Sequence, residues 1–197
     1  VSEPRRATAR ETAVLVIDLQ QDYFASDELR RCRDDLVRTT NDLVRRAREA
    51  GVLVVEVRTE HAADKSTWAL NMRDDDQGMA IAGSPGAARL PGLLEPDVVV
   101  VKHRDSAFHD TELDQVLHER GITRLVLAGV STESCISATA VDAYAHDLRV
   151  TLVEDATASV DPDQHRRTLQ LLQELYRDDV TRAEDLVLDG GQGPPEG

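Results

Sequence analysis

The chain has 197 residues, 41% of them hydrophobic, enough to bury one substantial core, and no linker divides it. Its 23 basic and 37 acidic residues leave a net charge of −14, which a phosphate backbone or an anionic membrane surface would repel, so neither nucleic acid nor membrane is an expected partner. Two cysteines, Cys32 and Cys135, are too few for a disulfide framework or a structural zinc site.

The Pro- and Gly-rich ends read as an extended or disordered arm over residues 1–11 and a flexible tail over 189–197, flanking a single domain over 12–188. No apolar run nears the roughly 20 residues of a membrane span, and no charged-then-apolar leader opens the chain. The expectation is a soluble, cytoplasmic protein.

In chain order, TAVLVID (12–18) is an apolar run ending in an acid, and DDLVRTTNDLVRRAREAG (34–51) has helical spacing with Gly51 as its stop. VLVVEVR (52–58) reads as a strand. Residues 59–96 are irregular apart from a short helix expected around 68–72, and so long an insertion implies a lid or binding loop. DVVVVK (97–102) is a strand, TELDQVLHERG (111–121) a helix and TRLVLAGV (123–130) a strand. A helix follows over about 132–147, then a strand at RVTLVED (149–155), a helix at 162–176 and a short last strand within VTRAEDLVL (180–188). Strands and helices alternate, and the strand cores are continuous Val/Leu/Ile runs. That pattern marks a doubly wound α/β fold with a parallel sheet between two helix layers.

In such sheets ligands bind beyond the carboxyl ends of the strands. The residues falling there are Asp18, Gln20 and Asp22 after the first strand, Lys102, Arg104 and Asp105 after the third, and STESC (131–135) after the fourth. Each has an ordinary explanation: a helix-capping Asp, a solvated Lys, a small buried Cys. Their convergence favours chemistry. So does lysine usage, since only Lys65 and Lys102 are lysines among 23 basic residues, and a compact ammonium is not interchangeable with a guanidinium fork. Ser131 and Thr132 are good N-cap types, which would set Cys135 in the first helical turn, where free N–H groups and the helix dipole lower a thiol pKa.

VLVIDLQQDYF (14–24), KHRDSAFHDTELDQVLHERGI (102–122) and LVLAGVSTESCISATAVDAYAHDLRVTLVEDATAS (125–159) resemble the isochorismatase-like cysteine hydrolases, a family that includes nicotinamidases and N-carbamoylsarcosine amidohydrolases. The likeness runs from about residue 12 to 175 and is weak in 59–96. It implies a three-layer α/β/α sandwich around about six parallel strands. It implies a catalytic set of Asp18, Lys102 and Cys135, with a cis peptide joining Val130 to Ser131. The thiolate would attack an amide, carbamoyl or cyclic-imide carbon to give a thioester, and backbone N–H groups of Ser131 and Cys135 would hold the oxyanion. A small-molecule substrate, no cofactor and a homo-oligomer (dimer or tetramer) are implied as well.

Departures from the family narrow this. The nicotinamidase branch carries a metal on one Asp and two His. Here VRTEHAADKSTW (57–68) offers Glu60 and His61 without the Asp-x-His spacing, so no metal is expected. The isochorismatase branch proper hydrolyses a vinyl ether, using an acid such as Asp18 and needing no thiol; Cys135 favours C–N hydrolysis without excluding that reaction. A catalytically idle member serving as a binding partner is the third alternative. Gln20, Tyr23, Phe24, Trp68, Asn71, Phe108 and Val130 are the candidate pocket walls. Arg104 would pair either with a substrate carboxylate or with Asp105 or Asp22. His103 and His109 either line the entrance or lie on the surface.

Overall fold

The computed structural model describes residues 8–188; the expectations for the arm before residue 8 and the tail from 189 lie outside them. Six strands, β1 (Thr12–Ile17), β2 (Leu53–Thr59), β3 (Val98–Lys102), β4 (Arg124–Val130), β5 (Arg149–Ala158) and β6 (Asp179–Thr181), form one sheet in the order β3-β2-β1-β4-β5-β6. Every pairing is parallel. The connecting helices are α1 (Asp27–Ala50), α2 (Leu70–Asp74), α3 (Leu113–Glu119), α4 (Ser137–Ala145) and α5 (Pro162–Tyr176).

Both faces of β1 are buried, and its side chains divide by pleat. Val14 and Val16 join the core beneath α1 with Leu36, Leu43 and Val44, while Ala13, Leu15 and Ile17 join the core of α3, α4 and α5 with Leu117, Ala143 and Leu172. The architecture is the expected three-layer α/β/α sandwich. Among the described residues no helix is long and apolar enough to cross a membrane.

Several boundaries differ from the sequence reading. α1 starts at Asp27, seven residues before the expected 34, with Ser26 accepting a bond from Leu29 N at 3.3 Å; its first two turns are so charged that only Leu29 is fully buried, and the apolar period is invisible there. Within the expected arm, Ala9–Glu11 form a 3-10 turn with Ala9 buried. The short helix expected near 68–72 is α2, two residues later.

The sheet reverses its winding between β1 and β4, and this switch point opens a crevice at the strands' carboxyl ends. Gly129 lets the two strands meet there. It has φ +125°, and a Cβ would sit 1.9 Å from the Ile17 carbonyl oxygen, directly before Asp18. Gly129→Ala is therefore expected to destabilise the protein by about 3 kcal/mol, combining an overpacked backbone contact with a conformation that favours glycine. The urea-unfolding midpoint reads this, and an unchanged midpoint would mean the strands can part at no cost.

The irregular segment 59–96 is tied down along its length. Leu90 N bonds the Leu19 carbonyl at 2.8 Å, Ala80 N bonds Asp22 Oδ2 at 2.8 Å, and Trp68, Met72, Ala80 and Leu90 are buried. It walls the crevice as a fixed loop.

Candidate active site

Asp18 follows β1 in the left-handed region, with φ 53°. A non-glycine residue there costs on the order of 1 kcal/mol, and Asp and Asn tolerate it best. Its backbone N–H donates to the Val57 carbonyl at 2.9 Å, and the side chain is fully buried. Lys102 ends β3 and is 1% exposed, with Nζ 2.8 Å from Asp18 Oδ2. The same ammonium donates to Thr59 Oγ1 at 2.9 Å, to the Arg104 carbonyl at 3.0 Å and to Cys135 Sγ at 3.3 Å. One buried cation thus spans a carboxylate and a sulfur that lie more than a hundred residues apart in sequence.

Thr59, at the end of β2, is the residue the sequence reading missed. Its hydroxyl donates to Asp18 Oδ1 at 2.9 Å and accepts from Lys102 and from Tyr23 OH, the latter at 3.0 Å. Its N–H is shared between Asp18 Oδ1 and Gln20 Oε1, both at 2.9 Å. Asp18 Oδ1 is fully engaged, whereas Oδ2 makes no hydrogen bond among the described residues beyond its ion contact with Lys102. That oxygen is the one open to a proton.

Cys135 is set differently from expectation. The Val130–Ser131 peptide is cis, and Thr132–Ile136 form a π turn before α4 begins. The Ser131 carbonyl accepts from Ser134 N at 3.2 Å and Ile136 N at 3.1 Å. Neither expected cap hydroxyl caps: Ser131 makes no side-chain cap bond, and Thr132 Oγ1 bonds His165 Nδ1 at 2.8 Å. The thiol pKa is not lowered. Burial pushes it well up, the charge of the Asp18 carboxylate pushes it further, and Lys102 only partly opposes this. The resting group is a thiol. The Lys102 pKa is raised as well: burial favours the neutral amine, but Asp18 and Cys135 outweigh it and keep the cation.

Above the sulfur lies a cleft of about 790 Å³. Tyr23, Asn71 and Arg104 line it, as the sequence reading placed them, together with Thr59, His61, His103, His109, Asp105 and Ser134. Burial and the nearby Asp18 charge keep the Tyr23 phenol protonated. The other expected walls are elsewhere. Gln20 is 1% exposed and spends its amide on the Thr59 and Ala87 carbonyls, both at 2.8 Å, so it anchors the 59–96 loop. Phe24 and Val130 pack in the core under α1. Trp68 is buried, with Nε1 donating to the Ala62 carbonyl at 3.0 Å, and Phe108 stacks on His146 at 4.7 Å. The Arg104 guanidinium pairs with neither Asp105 nor Asp22; it donates to the Thr67 and His103 carbonyls at 2.7 and 2.6 Å.

His61 Nδ1 faces the Thr67 carbonyl at 3.0 Å and His103 Nδ1 the Glu60 carbonyl at 2.6 Å, their rings 6.1 Å apart. Burial holds the His61 pKa down. A metal of the nicotinamidase kind does not fit. Two residues before His61, where a carboxylate is needed, stands Thr59 with its hydroxyl saturated, and among the described residues no three His, Cys, Asp or Glu converge.

A parallel α/β sandwich with a buried acid, ammonium and thiol at its switch point belongs to the class of α/β hydrolytic enzymes. The chain is a hydrolase of the isochorismatase family: a family model described as "Isochorismatase domain" matches residues 12–185. It is 37% identical over 166 residues to a probable inactive nicotinamidase of Arabidopsis thaliana, covering 79% of this chain and 85% of that one. It is 33% identical over 184 residues to the maleamate amidohydrolase of Pseudomonas putida, covering 88% and 84%. Among solved structures, an isochorismatase family protein from Desulfovibrio vulgaris superposes with a TM-score of 0.79 at 31% identity, covering 89% and 95%.

Proposed function

We propose that the protein hydrolyses the C–N bond of a small amide, carbamoyl or cyclic-imide substrate through a thioester on Cys135. The observation that carries this is the reach of Lys102, whose one ammonium contacts Asp18 Oδ2 at 2.8 Å and Cys135 Sγ at 3.3 Å. A solvated or merely structural lysine has no need of a sulfur partner. That a similar chain is a maleamate amidohydrolase supports C–N chemistry.

The sequence of steps follows from the protonation states. Because the resting thiol is neutral, its proton passes to Asp18 Oδ2 as sulfur bonds to the carbonyl carbon. Lys102 stabilises the sulfur while negative charge builds on it, and the backbone N–H groups of Ser131 and Cys135 receive the oxyanion. Asp18 then gives the proton to the departing nitrogen, and the C–N bond breaks to leave the thioester. Water adds to the thioester carbon, losing a proton to Asp18, and the released sulfur takes that proton back. Acid and amine or ammonia leave, and the site is restored.

The test is ammonia release from half-amides and ureido acids, and ring opening of cyclic imides followed by chromatography, with acid-quenched samples digested and weighed by mass spectrometry. We expect turnover of at least one class and an acyl mass on the peptide carrying Cys135. An inert protein, or turnover in which that peptide never gains mass, would contradict the reading.

A further inference from the structure

Asp105 is unexplained by the scheme above. Its Oδ1 lies 4.0 Å from Cys135 Sγ, and the residue lines the cleft. It is exposed and forms no ion pair among the described residues, since the neighbouring Arg104 donates to two carbonyls instead. It does not cap the local turn either: Phe108 N bonds the Ser106 hydroxyl at 3.1 Å. Its charge opposes thiolate formation and would also oppose an oxyanion on the same carbon. A carboxylate so placed hinders the reaction unless the substrate brings something to offset it.

We propose that Asp105 determines specificity: its carboxylate accepts a hydrogen bond from an N–H, or faces an ammonium, on the atom flanking the scissile carbonyl. The cleft then favours nitrogen-bearing neutral or cationic substrates, and disfavours those with an anionic group at that position. Arg104, in the same cleft, is left to meet any carboxylate farther along the molecule. Other titratable groups lining the cleft are Tyr23, His61, His103, His109 and Asp142, and none of them hydrogen-bonds the sulfur.

This inference rests on Cys135 being the reacting group, and its test does not need an amide substrate. Cys135 is labelled with two methanethiosulfonates, one bearing a trimethylammonium and one a sulfonate, in a Cys32→Ser background. The quantity read is the ratio of their second-order rate constants. Asp105→Asn is expected to lower the cationic-to-anionic ratio by about tenfold, and Asp105→Lys to lower it further. A purely structural role would slow both reagents alike and leave the ratio in place. An unchanged ratio in Asp105→Asn overturns the proposal even if the protein hydrolyses amides. A shifted ratio upholds charge selection by Asp105 at the Cys135 thiol even if no tested amide is cleaved, in which case the hydrolytic reading, and with it the placement beside a scissile carbonyl, is lost.

Discussion

Cys135→Ala is expected to lower kcat at least about a thousandfold on any amide the protein cleaves, with stability changed by less than about 1 kcal/mol. The activity loss follows from the scheme, since the other hydroxyl beside Asp18 and Lys102, that of Thr59, is saturated by Asp18, Lys102 and Tyr23 and is far less acidic than a thiol. Stability is spared because Lys102 keeps Asp18, the Thr59 hydroxyl and the Arg104 carbonyl when the sulfur goes. Cys135→Ser should be nearly as inactive: a hydroxyl is far less acidic than a thiol, and the buried carboxylate that deprotonates sulfur is too weak a base for it. Initial rates and the urea midpoint check the two halves separately. Turnover within tenfold of wild type in the alanine variant would remove the thioester and return attention to acid catalysis by Asp18.

The sheet was readable because its strands are buried on both faces and so carry uninterrupted apolar runs; β1 has no exposed residue at all. The polar residues at strand ends followed from that frame, and so did the choice of Lys102. Of the two lysines, Lys65 is an exposed partner of Asp76, while Lys102 is buried. Thr59 escaped notice because a β-branched residue ending a strand looks like any other strand residue; what distinguishes it is a hydroxyl shared by Asp18 after β1, Tyr23 in the turn beyond and Lys102 at the end of β3, a fact of tertiary structure. The aromatic residues misled for a related reason. Only contacts show that Phe24 and Trp68 fill the core while Tyr23, beside Phe24 in sequence, turns to the cleft. The thiol's raised pKa was equally hidden, since its causes are burial and a carboxylate 117 positions away in the sequence, and a local helix-dipole argument cannot see either.

Asp18→Asn and Lys102→Met should each destabilise the protein by about 3–5 kcal/mol, because each leaves its partner's charge buried and alone. Asparagine is a clean probe, as it tolerates the left-handed backbone of residue 18 and can still accept from the Thr59 hydroxyl. The double variant should recover to within about 2 kcal/mol of wild type, giving a coupling energy of about 3 kcal/mol or more from urea unfolding. All three should lack hydrolytic activity. If the two single losses simply add in the double variant, the charges are not a coupled pair and the site is not organised around them. Recovery of stability without recovery of activity separates the two roles of the pair. A neutral pair of similar volume would hold the fold about as well, so the ions are not there for stability. What a neutral pair lacks is a carboxylate that can take the thiol's proton and a cation to steady the sulfur that remains.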